Sequence, residues 1–242
     1  TDVNGEAYIE NINTGTYTLK ETVTKREYNL CENKDIAVEW NKTSDMVIEN
    51  EKKKGQIQIV KQDAEKEEIK LEGVKFQILD INNKVVEEII TNNNGEAMSS
   101  RLLIGEYTVK EVDLGNNTNY LINNEIYKIQ VENEKVTEVV VKNEHKKGNL
   151  KIKKVDKDNS NIVLEGVKFK MTDKDGFTYE AITNKQGIAL VENIRIGSVR
   201  IKELKTNKGY ELLDKEFNME IKYNQTVDIT IEKEKMKGQI EI

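Results

Sequence analysis

Apolar residues recur at every second position over short stretches of this chain, the spacing that gives an extended strand one buried and one solvated face. Between residues 55 and 147 the alternation reads Ile57/Ile59, Val74/Phe76/Ile78, Tyr107/Val109, Tyr127/Ile129/Val131 and Val139/Val141. Further strands are predicted around 84–91 and 96–103. Turn-forming runs such as Asn92-Asn93-Asn94-Gly95 and Asp113-Leu114-Gly115-Asn116-Asn117 separate them. No stretch carries helical spacing. About seven short strands in such a length is the content of an immunoglobulin-like sandwich, so the predicted fold class is all-β.

The pattern repeats. "LEGVKF" occurs at 71–76 and again at 164–169, which sets Gly73 and Gly166 93 positions apart, and "GQIQIVKQD" at 55–63 matches "GNLKIKKVD" at 148–156 with the same offset. "GTYTLKE" at 15–21, "GEYTVKE" at 105–111 and the looser "GSVRIKE" at 197–203 are three versions of one strand. "IENEKKKGQI" at 48–57, "VKNEHKKGNL" at 141–150 and "IEKEKMKGQI" at 231–240 are three versions of one junction. The expected organisation is therefore the C-terminal half of a repeat at 1–54, complete repeats at 55–147 and 148–237, and the start of another at 238–242. Half a sandwich cannot cover its own apolar face, so a window on a longer tandem array is expected.

Carrying three of these alternations one step further brings up charge and polarity. The faces continue Ile57, Ile59, Lys61; Tyr107, Val109, Glu111; and Val139, Val141, Asn143. If the phase holds, a lysine, a glutamate and an asparagine point into one core, where an unpartnered charge is costly. A plain reading is a buried Lys–Glu ion pair with Asn143 filling a hydrogen-bond position. A sharper one is reaction between them. Burial pushes a lysine amine toward its neutral, nucleophilic form, and a protonated Glu111 can polarise the Asn143 side-chain carbonyl and relay protons. Attack of Lys61 on that carbon would expel ammonia and leave an amide cross-link, with proximity supplied by the fold.

The lysine of "IVKQD", the "LEGVKF" turn and strand, "TNNNG" at 91–95, the glutamate of "GEYTVKE", Tyr120 and the asparagine of "VVVKN" together resemble the CnaB-type (SpaA-like, prealbumin-like) domains of Gram-positive surface adhesins and pilins. The resemblance runs over essentially the whole chain. It implies an intramolecular isopeptide bond between Lys61 and Asn143 with Glu111 as catalyst. It also implies a secreted protein at the cell surface or anchored to the cell wall. Such domains often carry a proline after the catalytic strand, and this chain has no proline.

The repeats differ at the reactive positions. In 148–237 the faces run Leu150/Ile152/Lys154, Val199/Ile201/Glu203 and Ile229/Ile231/Lys233, so lysine stands where the asparagine is needed. Two amines cannot condense. This repeat is expected to lack the bond, with Glu203 pairing Lys154, Lys233 or both. Glu21 and Asn50 supply two members of the leading half-repeat's triad, and their lysine would lie upstream of residue 1 or on another chain.

Composition narrows the classes. Across 242 residues, 44 acidic and 38 basic side chains are interspersed, giving a net charge of −6 and no basic stripe for a phosphate backbone, so nucleic acid is not an expected partner. With 34% charged and 36% hydrophobic residues and a mean hydropathy of −0.69, composition alone leans toward disorder, and the strand pattern decides for a fold. Lys52-Lys53-Lys54 and Lys146-Lys147 read as solvated linker. One cysteine, Cys31, allows no intramolecular disulfide, and His145 is the only histidine. Cys31 reads as a part-buried thiol and His145 as a linker imidazole, so neither a nucleophile–base pair nor a zinc site is expected. "DKDNSN" at 156–161 looks like a calcium loop but lacks the required glycine and has Val167 at its twelfth position. No cofactor, metal or membrane insertion is predicted.

The reading that fits these features is a structural stalk or fibre segment of a surface protein, with neighbouring repeats, and other copies in a fibre, as partners. It is no enzyme beyond a single self-cross-linking turnover. The alternative is an adhesin module that recognises a host or matrix ligand. An exposed aromatic patch would favour that alternative, and Trp40 is expected to continue the Ile36/Val38 face into the core.

Overall fold

In the computed structural model, residues 1–240 are described, and the start of a further repeat expected at 238–242 lies partly outside them. The described residues form seventeen strands and no helix. The first 54 residues give one two-stranded antiparallel sheet, β1 (Gly15–Leu19) with β2 (Lys34–Val38). The remaining strands build two sandwiches.

The first sandwich consists of β3 (Lys54–Asp63), β4 (Lys75–Leu79), β5 (Val85–Ile90), β6 (Glu96–Met98), β7 (Leu102–Leu103), β8 (Gly105–Asp113), β9 (Ile126–Val131) and β10 (Val136–Asn143). One sheet has the order β10-β3-β6, with β7 also on β3, and the other has the order β5-β4-β8-β9. The second sandwich repeats the plan with β11 (Lys147–Asp156), β12 (Lys168–Asp173), β13 (Thr178–Ile182), β14 (Ile188–Arg195), β15 (Gly197–Lys205), β16 (Phe217–Ile221) and β17 (Thr226–Lys233). Its sheets run β14-β11-β17 and β13-β12-β15-β16.

Period-two burial is carried through as the sequence predicts. Ile57, Ile59, Phe76, Ile78, Val109 and Val141 are fully enclosed in the first core, and Leu150, Ile152, Phe169, Met171, Val199 and Ile201 in the second. The strand expected near 96–103 is broken in two because Ser99 interrupts it. Its Oγ, rather than a main-chain carbonyl, accepts the Ile57 N–H at 2.9 Å.

Two expectations are corrected. Trp40 is 84% exposed rather than in a core, because among the described residues the β1–β2 sheet has no second sheet opposite it. His145 is no linker imidazole. It is only 3% exposed, its ring set edge-on against Tyr120 with centroids 4.8 Å apart.

Candidate functional site

Within the first sandwich the opening strand β3 and the closing strand β10 are neighbours and run parallel, with Lys61 opposite Val141 and Asn143 opposite Asp63. Lys61 and Asn143 thus lie two residues apart in register and on the same side of the sheet, since side chains alternate with period two. A lysine leaning along its strand spans that offset. Glu111 comes from β8 in the opposing sheet, opposite Phe76 next to a register shift at Lys75/Phe76. The three polar ends of the apolar faces therefore meet between the two sheets.

The meeting is close. Lys61 Nζ lies 2.8 Å from Glu111 Oε2 and contacts Asn143 Oδ1, while Asn143 Nδ2 donates to Glu111 Oε1 at 2.7 Å. Lys61 is 0%, Asn143 1% and Glu111 6% exposed. Burial holds the Lys61 amine below its ordinary pKa, and the hydrogen bond and charge of Glu111 only partly offset this. The sequence suggested that Glu111 faces the asparagine carbonyl; in the structure it faces the amide NH₂.

The lysine is fixed from its backbone as well. Its N–H donates to the Gly95 carbonyl at 2.7 Å, and its own carbonyl accepts from Leu71 N at 3.1 Å. Gly95 adopts φ +71°, and a Cβ there would collide with the Lys61 carbonyl oxygen. The glycine of "TNNNG" is therefore required both by conformation and by space.

Sequence reasoning did not single out Asn123, whose backbone N–H donates to Glu111 Oε1 at 3.2 Å. Its side-chain amide bonds Tyr127 Oη and the Lys142 carbonyl, both at 3.0 Å, and so ties that loop to β10. Asx residues in loops carry no periodicity, so no sequence signal marked it.

The second sandwich keeps the register and changes the chemistry. Lys154 lies opposite Ile231, and Lys233 opposite Asp156. Glu203 Oε2 is 2.9 Å from Lys154 Nζ and its Oε1 is 3.3 Å from Lys233 Nζ, all three side chains being buried. Burial again depresses the Lys154 pKa; Glu203 opposes the shift and Lys233 adds to it. In the leading segment Asn50 Nδ2 donates to Glu21 Oε2 at 2.6 Å, and the Cys31 N–H donates to the same oxygen at 2.8 Å. Those contacts, the Cys31 N–H foremost, hold the Glu21 carboxyl below its usual range.

The acidic loop at 156–161 caps itself, because Asp156 Oδ1 accepts from the backbone N–H groups of Asp158 and Asn159, each at 2.9 Å. Among the described residues no group of three or more His, Cys, Asp or Glu side chains is placed to hold a metal ion, and no helix is long and apolar enough to cross a membrane.

A family model described as the SpaA prealbumin-like fold domain matches the chain three times, over residues 1–52, 55–145 and 148–235. The chain belongs to this family. Among solved structures, the Bacillus anthracis TIE protein shares 30% identity over 96% of this chain at a TM-score of 0.71, and the chain spans 44% of that protein's length. GBS52, the minor pilin of Streptococcus agalactiae, matches at 20% identity and a TM-score of 0.40, over 78% of this chain and 99% of its own. BcpA, the major pilin subunit of Bacillus cereus, matches at 14% and 0.34, over 76% of this chain and all of its own. A search of the curated proteins found no match.

Proposed function

We propose that this chain is a segment of an extracellular, wall-associated stalk or fibre, built from whole repeats at 55–147 and 148–237 behind a half-repeat at 1–54, and that Lys61 and Asn143 join in an intramolecular isopeptide bond promoted by Glu111. The observation that carries this is the closure of the Lys61, Glu111 and Asn143 side chains into hydrogen-bonding distance inside a core sealed from water.

The chemistry balances within the triad. Turning the Asn143 amide over exchanges Oδ1 and Nδ2 in nearly the same volume, which sets the carbonyl oxygen on a protonated Glu111 and the nitrogen beside Lys61. The neutral Lys61 amine attacks Cγ, a C–N bond forms, and the C–Nδ2 bond breaks. Glu111 passes a proton from Nζ to the departing nitrogen, which leaves as ammonia, and returns to its starting state. Held positions rather than a strong nucleophile supply most of the rate.

Mechanically, the bond would join the first and last strands of one sandwich. Tension entering at β3 would leave at β10 without opening the sheets between them. In the second sandwich Lys154, Glu203 and Lys233 form a buried charge cluster with no amide to attack, and no bond is proposed there.

Intact-mass measurement tests the proposal. The expected chain is lighter than its sequence by one ammonia, with a branched Lys61–Asn143 peptide after digestion, and Glu111→Ala restores the full mass. A full-mass wild-type chain would sink the cross-link while leaving the fold assignment untouched.

A further inference from the structure

The joint between the two sandwiches contains a buried arginine that the cross-linking chemistry does not use. Arg195, at the end of β14 and 1% exposed, reaches out of the second sandwich and pairs with Asp63 of the first. It also donates to Tyr120 Oη at 3.3 Å, and Tyr120 itself donates to Asp63 at 2.8 Å. The guanidinium lies over the Phe177 ring at 4.3 Å. Beside it, Lys66 Nζ of the first sandwich donates to the Asp175 carbonyl of the second at 3.0 Å, and Lys147 pairs with Glu65. Asn193, at φ +58°, ends the regular alternation of β14, so that Ile194 enters its own core while Arg195 is delivered to the neighbour.

Strand register shows what stands at the corresponding places elsewhere. Arg195 is paired with Lys147 just as Leu103 is paired with Lys54, so in the first sandwich a leucine, 43% exposed, takes the arginine's place in the register. The bridges Tyr28–Lys52, Tyr120–His145 and Tyr210–Lys235 likewise mark one position that holds lysine, histidine and lysine in turn. At 235 the lysine serves the carboxylate of its own repeat: Lys235 Nζ is 3.3 Å from Asp156 Oδ2, which Tyr210 also reaches at 2.7 Å. Where histidine stands, Asp63 is left to a cation from the next repeat. Burial depresses the His145 pKa, and the charge of Arg195 pushes the same way.

We infer that Asp63, Tyr120 and His145 form a socket for an arginine of the following repeat, and that this pairing of histidine with arginine locks one joint of the array into a rigid unit while joints with lysine and leucine at the two positions stay free. A lysine at 145 would compete with Arg195 for Asp63 and set a second positive charge in the same buried site, leaving the guanidinium only the longer contacts to Asp175 and Glu65, at 3.9 and 4.0 Å. The first joint fits the contrast: the side-chain hydrogen bond bridging its two segments is Asn133 Nδ2 to Asn29 Oδ1, at 3.0 Å, and its Lys52 is exposed.

Residual dipolar couplings on the full chain test this. The two sandwiches are expected to share one alignment tensor in the wild type. Arg195→Leu and, separately, His145→Lys, which leaves the arginine in place, are expected to give two different tensors, while amide spectra show both sandwiches still folded. A shared tensor retained in Arg195→Leu would overturn the lock, one retained in His145→Lys would overturn the role of histidine, and unequal tensors in the wild type would overturn both. Intact mass, read on the same samples, reports the Lys61–Asn143 bond independently, so failure of either idea is recognised apart from the other.

Discussion

Lys233 stands opposite Asp156 on the parallel strands β17 and β11, the register that Asn143 holds opposite Asp63 in the first sandwich. Lys154 and Glu203 are already 2.9 Å apart beside it. Lys233→Asn should therefore place an amide where the first sandwich has one and relieve the repulsion between two buried lysines. The expected result is loss of a second ammonia in the intact mass and a stability gain of about 4.5 kcal/mol from closing the loop between residues 154 and 233. A variant whose mass shows only the substitution would mean that register and burial are insufficient.

Unaltered, the second sandwich should be the weaker link. The bond proposed in the first spans 82 residues, and closing a loop of that size is worth about 4.5 kcal/mol in the chain-entropy estimate made for disulfides. The second has a buried cluster of two lysines and one glutamate in its place, and buried ion pairs of this kind add little net stability. Single-molecule pulling should show the second sandwich opening first, and opening fully. The first should give only a short extension, limited by its cross-link. Equal contour lengths would contradict this.

Gly95→Ala probes the support behind the lysine. A methyl group at φ +71° strains the backbone and collides with the Lys61 carbonyl, so the turn must move and loosen the Lys61 N–H bond to it. A destabilisation of about 2 kcal/mol is expected. More tellingly, ammonia loss on first folding, followed by intact mass against time after cell-free synthesis, should slow in this variant. An unchanged rate would show that the turn shapes the fold without positioning the amine.

The strands and the triad were legible because burial of one strand face imposes a period of two, and the period continues through its polar end: Lys61, Glu111 and Asn143 are found by counting on from Ile59, Val109 and Val141. One more step along β3 reaches Asp63, also fully buried. The count therefore pointed at the socket, but nothing local identified its occupant. Arg195 lies 132 residues away, after a backbone irregularity at Asn193 that shifts the phase of β14. The same limit misplaced Trp40, whose alternation is sound but whose opposing sheet is lacking among the described residues. Periodicity says which side chains share a face, and not what covers it.

His145 gives the joint a predictable response to acid. The groups around its ring are Tyr120, Arg195, Asp63, Asp175 and the Lys146 carbonyl, which bonds Nδ1 at 2.9 Å. Burial disfavours the imidazolium, and Arg195 adds to that, against the weaker pull of the Lys146 carbonyl and the two aspartates. The folded pKa therefore lies below 6.5, and the unfolded chain binds more protons between the two values. The stabilising contribution is whole above 6.5 and is lost as pH falls through that window. Asp63 keeps its charge throughout: burial raises its pKa, but the Glu65 N–H, the Tyr120 hydroxyl and Arg195 outweigh that and leave it below 3.8. Acidification should thus loosen the joint by charging His145 next to Arg195 and not by neutralising the socket. Scattering profiles recorded from about pH 7.5 down to about pH 5 should show the wild type becoming more extended and variable, while His145→Gln, which has no proton to gain, keeps its profile. Equal loosening in both would assign the effect to another group.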